Sequence, residues 1–403
     1  MSRIDDLIAE LCPSGVEFKT LGTIADTQLG KMLNSSKQTG AVTMPYLRNT
    51  NLRWGGFDLS DVNEMDIFPH EREQFTLRNG DLLICEGGEP GRCAVWKSDI
   101  PMAFQNAMHR VRPKGGVSSD FLALQIESQV KSGELDRLFS GATIKHFSQQ
   151  KLRSVRIPLP PLEVQREIVA ILDTFTELEA ELEAELEARK RQYEYYRDAL
   201  LRLDGESGIK WIDELCPNGV ERVGLGELVA KKTVALGRGQ VISKQDIKNN
   251  PGNYPVYSSS RIGEGELGRY GKYMFTDERI TWSIDGGGRF FYRAPHKYSV
   301  TNVCGWLTSD NSVISTRYLY YVLTTEWSKL VFDYTKKAHP SVIVDIYSIP
   351  IPPLEVQREI VNVLDKFDAL VNDLSIGLPA ELNARRKQYE YYRDQLLTFK
   401  ETV

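Results

Sequence analysis

Polar and basic side chains gather in turn-rich segments of the sequence, and their types suit hydrogen bonding to nucleic acid. Arg, Lys, Asn, Gln, Ser and Thr contact base edges and phosphates in protein–DNA complexes. In the first half of the chain these candidates are Lys31, Arg48, Asn49, Asn51, Arg53, Arg92, Gln105, Asn106, Lys145, His146, Ser148 and Gln149. In the second half they are Ser259, Ser260, Arg261, Arg289, Thr301, Asn302, Lys336, Lys337 and His339. One such residue alone is usually an ordinary loop residue, and the indication comes from their occurrence in two repeated domains.

No catalytic motif accompanies these residues in the sequence. We find no Walker A segment, no H-E-x-x-H, no G-x-S-x-G and no Asn/Asp-Pro-Pro-aromatic segment of amino-methyltransferases. "GEGELG" at Gly263–Gly268 satisfies G-x-G-x-x-G, but serines precede it and no helical pattern follows, so we expect no dinucleotide site. The histidines also lack the spacing of metal ligands. The sequence therefore predicts a chain that is not an enzyme and holds no metal or cofactor.

The charge of the chain is unevenly distributed. Its net charge of −5 argues by itself against a nucleic-acid partner. Residues 162–204, however, hold 12 acidic and 6 basic residues, and this segment accounts for the deficit. Residues 26–158 have a net charge of +2, and residues 230–350 have a net charge of +6. Two mildly basic domains thus flank an acidic segment, and phosphate binding needs only a local positive face.

A long internal repeat divides the chain. "PPLEVQREIV" stands at Pro160–Val169 and again at Pro352–Val361, and "QYEYYRD" stands at Gln192–Asp198 and again at Gln388–Asp394. A third phrase, "ELCPSGV" or "ELCPNGV", opens each half. Each half has the size of one domain plus a helix. The sequence predicts a duplicated unit of one domain and one helix.

The repeated phrases lie in segments with helical periodicity. Apolar residues recur at steps of three and four over residues 168–203 and 360–399, and these stripes include Leu178 and Leu374. A narrow stripe with a glutamate-rich outer face is typical of a coiled-coil seam. Because neither seam is stable in water, we expect the two helices to pair antiparallel, with the domains at opposite ends of a pseudo-two-fold molecule. The alternative is a pair of ordinary core helices.

Prolines and glycines mark the expected helix ends. Pro160 and Pro161 suit a helix start, and Gly205 suits a C-terminal cap. The second copy is four residues longer between the two shared phrases, and Gly377 and Pro379 lie in that interval. We therefore expect a kink or a short break there.

Both domains show short apolar runs between turn residues, followed by a helical segment. Gly91-Arg92 and Gly288-Arg289 each suit a tight turn before an apolar strand. We predict an α+β fold with a pseudo-two-fold internal repeat, in which two long antiparallel helices form a coiled coil between two mixed, strand-rich domains. The segments are residues 1–158 and 205–350 for the domains, with residues 159–204 and 351–403 for the central and C-terminal helices.

Cysteine usage and the N-terminal sequence indicate the cellular compartment. The five cysteines show no C-x-x-C spacing and are an odd number, so we expect reduced thiols. The N-terminal segment has acidic residues where a signal peptide needs basic and apolar ones, and no apolar run reaches 18 residues. We expect a soluble cytoplasmic protein without membrane association.

Together these features resemble the specificity subunit of a Type I restriction-modification enzyme. "IPLPPLEVQREIV" and "IPIPPLEVQREIV" resemble that family's entry to each conserved helix, and "LRNGDLLICEGGEPGRCAVW" with "GATIKHFSQQKL" resembles a first target recognition domain. The resemblance covers residues 1–400. It implies a non-catalytic DNA-binding subunit in which two target recognition domains each read one half of a bipartite, asymmetric target, while the helices set the gap.

The same resemblance implies partners for the chain on double-stranded DNA. Two modification subunits would methylate adenine with S-adenosylmethionine, and two restriction subunits would use ATP and Mg²⁺ to translocate and cut. The modification subunits are expected to dock on the conserved helices. Candidate contacts there are Gln165, Glu179, Glu183, Tyr193, Tyr196, Gln357, Tyr389 and Tyr392.

Two other functions are compatible with the sequence. A catalytic single-chain DNA methyltransferase or nuclease fragment would transfer methyl groups or cut DNA without partners. A coiled-coil scaffold protein would lack salt-sensitive DNA affinity, because that dependence arises from counterion release at phosphates.

Overall fold

The chain folds as two compact units, and each contains one strand-rich domain with parts of the long helical regions. A computed structural model describes residues 3–34, 38–141, 145–259, 263–285, 287–330, 332 and 337–402. Unit 1 comprises Met1–Glu181 together with Leu382–Val403, and unit 2 comprises Leu182–Glu381.

The first half of the chain contains the following elements. Its helices are α1 (Arg3–Leu11), α2 (Leu21–Ile24), α3 (Arg72–Phe75), α4 (Ser119–Lys131), α5 (Gln149–Arg153) and α6 (Leu162–Arg202). Its strands are β1 (Glu17–Thr20), β2 (Ala25–Leu29), β3 (Thr43–Leu47), β4 (Leu52–Arg53), β5 (Gly56–Phe57), β6 (Asn63–Asp66), β7 (Leu82–Cys85), β8 (Cys93–Val95), β9 (Ala103–Phe104), β10 (Met108–Pro113) and β11 (Arg156–Leu159).

The second half has a similar order, with helix α9 (Lys244–Asn249) added between its second and third strands. Its helices are α7 (Lys210–Leu215), α8 (Leu225–Ala230), α9 (Lys244–Asn249), α10 (Thr316–Ser328), α11 (Pro340–Ile346), α12 (Leu354–Asn372) and α13 (Leu378–Leu397). Its strands are β12 (Arg222–Gly224), β13 (Val234–Arg238), β14 (Pro251–Tyr257), β15 (Glu266–Tyr270), β16 (Arg279–Ser283), β17 (Phe290–Arg293), β18 (Ser299–Val300), β19 (Cys304–Ser309) and β20 (Ser348–Pro350).

The two domains share one sheet topology. Unit 1 has an antiparallel sheet β2-β10-β7-β8, a sheet β6-β3-β9 with β3 and β9 parallel, and the pair β1-β11. Unit 2 has the corresponding sheets β13-β19-β16-β17 and β15-β14-β18, with β14 and β18 parallel, and the pair β12-β20. This match confirms the predicted α+β fold and its duplication.

The central strand β7 explains how one sheet serves two cores. All four of its side chains are buried. Leu82 and Ile84 pack in the core that includes α4, whereas Leu83 and Cys85 pack in the core that includes Phe104. Alternate side chains of a strand point to opposite faces, so a run of apolar residues without alternation predicts a strand covered on both sides.

The two Gly-Arg turns occur as predicted, directly before β8 and β17. Gly91 and Gly288 have left-handed backbones, with φ of 90° and 76°. A Cβ on Gly91 would lie 2.5 Å from Val130, and one on Gly288 would lie 2.8 Å from Phe332. Both the conformation and the close approach therefore require glycine.

In unit 1 the beginning of α6 packs against α13. Phe175 stacks on Tyr392 with ring centroids 5.4 Å apart, and Glu179 pairs with Arg386 at 2.6 Å. Since the contacts advance along α6 while they recede along α13, the two segments are antiparallel, as predicted. The same core contains Val164, Ile168, Leu172, Leu396 and Leu397, all buried.

In unit 2 the end of α6 packs against α12. Phe367 lies 6.3 Å from the ring of Tyr193 and 5.6 Å from the ring of Tyr196. Phe175 and Phe367 hold the same position in the repeat, as do Tyr392 and Tyr196. Each unit thus contains the same aromatic contact, with the contributing repeats exchanged.

The predicted break occurs between α12 and α13. The Asp373 carboxylate accepts hydrogen bonds from the hydroxyl and N–H of Ser375, and these bonds lower the pKa of Asp373. A Cβ on Gly377 would lie 2.4 Å from the carbonyl oxygen of Ala369, so the turn accommodates only glycine. Leu374 was predicted to lie in the seam, but it falls in this turn and is 80% exposed.

Two further helix predictions were wrong. Leu178 is 41% exposed, because the next residue, Glu179, faces α13 instead. Gly205 was expected to cap α6 directly, but Leu203 follows the helix with a left-handed φ of 49°. Its side chain is only 1% exposed, and burial in the core of unit 2 offsets the backbone strain.

Backbone groups just after each long helical region form hydrogen bonds with the phrase that opens a domain, "ELCPSGV" in unit 1 and "ELCPNGV" in unit 2. In unit 1 the N–H of Val16 donates to the Lys400 carbonyl at 2.8 Å, and the N–H of Thr402 donates to the Val16 carbonyl at 3.0 Å. In unit 2 the N–H of Val220 donates to the Leu203 carbonyl at 2.8 Å. The opening phrase of unit 1 is therefore hydrogen-bonded to the C-terminal end of the second repeat.

A buried glutamine fixes the start of α6 to the domain of unit 1. The side-chain oxygen of Gln165 accepts the N–H of Ser118 at 2.9 Å, and its amide donates to the carbonyls of Gly116 and Pro160 at 3.1 and 2.8 Å. Ser118 is the N-cap of α4. The glutamine thus joins one helix start to another.

Gln357 makes the same bonds in unit 2. It accepts the N–H of Ser315, the N-cap of α10, at 2.9 Å and donates to the carbonyls of Val313 and Pro352 at 3.0 and 2.9 Å. Both glutamine side chains are 0% exposed. The prediction that Gln165 and Gln357 contact partner subunits was therefore wrong, because packing inside each unit uses these amides.

Replacing either glutamine by leucine should destabilise its unit. Gln165→Leu and Gln357→Leu each leave one buried N–H and two carbonyls without their partner, and we expect the free energy of unfolding to fall by about 1–3 kcal/mol. Urea denaturation of the purified chain measures this. Gln150→Leu, at an exposed site on α5, is the control and should change stability by less than about 0.5 kcal/mol. Equal stability of all three variants would contradict a stabilising role for the hydrogen bonds of Gln165 and Gln357.

Candidate nucleic-acid interface

In unit 1 the predicted DNA-contact segments meet at one edge of the sheets. The N–H of Asn106 donates to the Lys31 carbonyl at 3.1 Å, and the N–H of Gln105 donates to the Leu47 carbonyl at 3.0 Å. Arg48 follows Leu47 directly. The loops after β2, β3 and β9 are therefore neighbours.

Further bonds add the loop after β7 and the segment before α5. The N–H of Glu86 donates to the Ala107 carbonyl at 2.9 Å, and the N–H of Phe147 donates to the Glu86 carbonyl at 2.7 Å. The side-chain amide of Asn49 donates to the Gly87 carbonyl at 2.7 Å. The structure thus places Lys31, Arg48, Asn49, Gln105, Asn106 and His146 in one region.

Unit 2 contains the same backbone framework. The N–H of Thr301 donates to the Tyr257 carbonyl at 2.9 Å, as Gln105 does to Leu47 in unit 1. The N–H of Ile284 donates to the Val303 carbonyl, and the N–H of Ala338 donates to the Ile284 carbonyl, both at 3.1 Å. The two domains therefore present corresponding loops on one shared scaffold, although the side chains differ.

Lys31 is held inside its domain. Its ammonium group pairs with Glu71 and donates to the Asp66 carbonyl at 2.8 Å, and its side chain is 14% exposed. Burial alone would raise the pKa of Glu71, but the hydrogen bond and charge of Lys31 lower it. The Lys31 ammonium group therefore holds the loop in place through Glu71 and Asp66, and its charge is already paired.

The three arginines of this region are paired with acidic residues of their own domain. Arg48, Arg53 and Arg92 lie 2.7, 3.2 and 2.7 Å from a carboxylate oxygen. Arg92 also donates to the backbone and side-chain oxygens of Asn49, at 2.9 and 3.0 Å. A phosphate must compete with these carboxylates for the guanidinium groups.

Two predicted contacts are buried and were wrong. Asn51 is 3% exposed, and its side chain accepts the N–H of Arg48 and donates to the carbonyls of Asp58 and Asp61. Thr301 is 3% exposed, and its hydroxyl donates to Ser258 at 2.9 Å. Their hydrogen-bonding groups hold loops together and do not face solvent.

The segment before α5 supplies Lys145, whose side chain is more exposed than those of the predicted contacts Lys31, Arg48, Arg53 and Arg92. The Lys145 side chain is 56% exposed and lies 3.8 Å from Asp136, and His146 is also exposed. Ser148 is the N-cap residue of α5, and the amide of Gln149 donates to the Thr27 carbonyl at 2.8 Å. Lys145 and His146 are thus available to a ligand, while Gln149 is used within the domain.

The candidates of unit 2 lie around the same framework. Ser259 shares a hydrogen bond with Ser283, and Arg289 stacks over the Phe291 ring at 4.9 Å. Lys337 is 41% exposed and pairs with Asp285 at 3.0 Å, and His339 is the N-cap residue of α11. Ser260, Arg261 and Lys336 lie outside the described residues.

Two residues of this face, Arg238 and Gln240, were not among the contacts predicted from the sequence. The backbone carbonyl of Asn302 accepts two hydrogen bonds from Arg238, at 3.0 and 2.8 Å. Gln240 pairs with Thr301 in a parallel bridge, as Lys31 pairs with Gln105. Both Arg238 and Gln240 are exposed. Aligning β2 with β13 would have placed Gln240 opposite Lys31.

The residues expected to contact partner subunits divide into internal and exposed ones. Tyr193, Tyr196 and Tyr392 pack on phenylalanines, and burial raises the pKa of Tyr389 to about 12. Glu179 pairs with Arg386, whereas Glu183 is exposed. The most exposed tyrosines of the repeated phrase are Tyr195 and Tyr391, at 69% and 62%, and neither was among the predicted contacts.

The described part of the chain presents binding surfaces and no recognisable reaction centre. Among those residues, no three His, Cys, Asp or Glu side chains are grouped to hold a metal ion. Gly263–Gly268 leads into strand β15, so it lacks the helix of a dinucleotide site. All five cysteines are buried thiols, and no helix of the described residues is long and apolar enough to cross a membrane.

The comparison with known proteins agrees with this duplicated architecture. A family model described as the Type I restriction modification DNA specificity domain matches residues 13–188 and again residues 217–384. The chain belongs to this specificity family.

Relatives in the family extend over most of the chain. The specificity subunit of the type I restriction enzyme MpnII of Mycoplasma pneumoniae is 31% identical over 315 residues, with 64% of this chain and 92% of that protein covered. A Haemophilus influenzae protein, described provisionally as a type I restriction enzyme specificity subunit, is 30% identical over 407 residues, with 96% of both chains covered.

A solved structure of the family shows the same fold. The S subunit of a type I restriction-modification system from M. genitalium superposes with a TM-score of 0.58 at 17% identity, covering 95% of this chain and 96% of that one. Both family-model matches extend into the long helical regions, so the family unit contains a strand-rich domain and helix together.

Substitutions at two neighbouring polar residues should distinguish a residue that stabilises the fold, Asn51, from one that lies on the surface, Arg53. Asn51→Ala removes a buried amide with three hydrogen bonds, and we expect the free energy of unfolding to fall by about 1–3 kcal/mol. Arg53→Ala removes a side chain that is 53% exposed, and we expect a change below about 0.5 kcal/mol. Chemical denaturation followed by tryptophan fluorescence measures both. An Asn51→Ala chain as stable as the wild type would show that the residue is not structural.

Proposed function

We propose that this chain is the DNA-specificity subunit of a type I restriction-modification complex and that each domain reads one half of a bipartite, asymmetric target. The shared loop framework carries this proposal. Equivalent backbone bonds in the two units present different side chains, such as His146 in one and Lys337 in the other. One scaffold with two sets of contact residues suits two different half-sites.

The catalytic activities of the complex belong to partner subunits. Two modification subunits bind S-adenosylmethionine and methylate adenine, and two restriction subunits use ATP and Mg²⁺ to translocate and cut DNA. The chain itself supplies recognition and binding surfaces. The family membership and the twofold repeat of domain and helix support this division of labour.

The charge pairing of the loops favours DNA binding within the assembled complex. The loop arginines Arg48, Arg53 and Arg92 of unit 1 are each paired with a carboxylate, and residues 162–204 have an excess of six acidic residues. Nonspecific attraction of phosphates is therefore weak for the isolated chain, since it depends on released counterions. Modification subunits that close around the duplex supply the missing positive charge.

Mapping methylated adenines tests the proposed function directly. Cells that express the chain with its modification partner should carry methylation at one bipartite target, and cells with the chain alone should carry none. Methyl transfer or cutting by the purified chain, with DNA, Mg²⁺ and S-adenosylmethionine, would instead favour a single-chain enzyme. Full retention of the methylation pattern without the chain would exclude a specificity role.

Substitutions in one unit should affect one half of that target. Joint Lys145→Ala and His146→Ala substitutions should weaken or relax recognition at one half-site, and Lys337→Ala should affect the other. Lys190→Ala, at a lysine of α6 that is 44% exposed, is the matched control. Loss at both half-sites from a change in one unit would contradict the assignment of one domain to each half.

The continuous helix α6 supports a spacing role. It contains 41 residues, begins in unit 1 and ends in unit 2. At 1.5 Å per residue such a helix is about 60 Å long. Major-groove faces recur about every 34–36 Å, so a rigid connection of fixed length permits only a fixed gap between half-sites.

Changing the helical length should change the gap in the methylated target. Inserting four residues after Leu182 lengthens α6 by roughly 6 Å, and we expect a gap altered by one or two base pairs. Deleting Ser375–Leu378 tests the second helical region in the same way. Four residues inserted between Gly55 and Gly56, where the backbone has open space, form the control. An unchanged gap in both helical variants would rule out a spacing role.

A further inference from the structure

Each unit has a short segment that carries residues of the candidate interface and ends in a buried residue. These contact segments comprise residues 145–147 before α5 and residues 337–338 before α11. Their last residues, Phe147 and Ala338, are 0% exposed, and the N–H of each donates to the residue directly after β7 or β16. The side chains that are expected to contact DNA precede this buried residue directly. The position of its backbone therefore sets where they lie.

The carbonyl of the same buried residue accepts a hydrogen bond from an aromatic side chain of the sheet. In unit 1 the Nε2–H of His109 donates to the Phe147 carbonyl at 2.9 Å, and because a carbonyl can only accept, the imidazole carries its proton on this nitrogen. In unit 2 the Nε1–H of Trp282 donates to the Ala338 carbonyl at 2.8 Å. Both aromatic side chains are 0% exposed. Each contact segment is thus tied to the interior of its own domain.

The two donors come from opposite members of one cross-strand pair. His109 of β10 lies opposite Ile84 of β7, and Gly305 of β19 lies opposite Trp282 of β16. These pairs are equivalent, because Ile84 and Trp282 each stand two residues before the carbonyl that accepts the N–H of the contact segment. One unit therefore supplies the donor from one strand, and the other unit supplies it from the neighbouring strand.

Packing makes the two members of each pair depend on each other. A Cβ on Gly305 would lie 2.2 Å from the indole of Trp282, so this indole fits only opposite glycine. In unit 1 the smaller Ile84 leaves room for the imidazole of His109. Both residues of the pair differ between the units, yet each unit forms the same hydrogen bond. The bond itself, and not the bulk of either side chain, is therefore the shared feature.

We propose that His109 and Trp282 are positioning residues for DNA recognition, each fixing the contact segment of its own unit against one half-site. This inference rests on the proposed function and adds that specificity depends on buried residues that do not touch DNA. Side chains that bind a ligand must be held to within about 0.5 Å of their productive positions, and hydrogen bonds behind them supply that support. Each bond lies inside one unit, so each acts on one half-site.

Trp282→Phe tests this role, because it keeps an aromatic ring opposite Gly305 and removes the N–H. Tyr318→Phe is the matched control in unit 2. It removes another buried donor, the hydroxyl that binds the Pro350 carbonyl at 3.0 Å in strand β20, outside the contact segment. Each variant is purified in complex with the modification subunit. Methyl transfer is then measured on duplexes that carry the mapped target or a single base change in one half of it.

We expect Trp282→Phe to raise KM for the target about tenfold and to reduce discrimination at the half-site of unit 2 by about the same factor, as for one lost hydrogen bond. Discrimination at the other half-site should not change, and Tyr318→Phe should alter neither quantity. Loss of folded chain would lower kcat for every duplex alike. A change in KM and in discrimination at one half-site therefore separates positioning from stability.

Unit 1 allows a rescue experiment. His109→Leu removes the donor and should relax recognition at the half-site of unit 1. The double variant Ile84→Trp with His109→Gly copies the pair of unit 2 and should restore discrimination to within about threefold of the wild type. A folded double variant that discriminates no better than His109→Leu would contradict the proposal.

Wild-type discrimination by the Trp282→Phe complex, or an equal loss at both half-sites, would overturn the positioning role and leave the proposed function intact. A wild-type complex that methylates no bipartite target would instead overturn the proposed function.

Discussion

The structure depends on how each long helix is fastened to a strand-rich domain. A domain that recognises one half-site is useful in a fixed assembly only if its orientation on the helix is fixed. Gln165 and Gln357 provide that constraint, since one buried amide ties the helix start, the proline segment before it and the N-cap of a domain helix together. A buried polar group with all of its bonds made is directional, whereas apolar contacts alone permit sliding. The presence of the same glutamine in both copies of the repeated phrase follows from this geometry.

The reciprocal aromatic contacts extend the same constraint. Phe175 meets Tyr392 in one unit, and Phe367 meets Tyr196 in the other, so neither repeat is complete by itself. The exposed tyrosines next to these contacts are held by rings that already have a structural role. Within one short phrase, the inner rings therefore stack on phenylalanines while Tyr195 and Tyr391 are exposed.

Much of the fold was predictable because its signals are local or repeated. The duplicated phrases gave the domain order, and the four extra residues with Gly377 and Pro379 gave the helix break. Side-chain environment was less predictable. Asn51 and Lys31 have the residue types of DNA contacts, yet tertiary packing buries the first and pairs the second with Glu71. Gln165 was misread because identical residues in two copies suit a shared partner as well as a shared internal bond.

The pairing of Val16 with Lys400 and Thr402 has a consequence for the order in which the protein forms during translation. Unit 2 is one continuous stretch of sequence, Leu182–Glu381. Unit 1 needs both the residues before that stretch and the residues after it. Domains generally fold as they emerge from the ribosome, beginning with the N-terminal one. Here that order is reversed at the final step: the second unit can be complete while the ribosome is still synthesising the segment that closes the first.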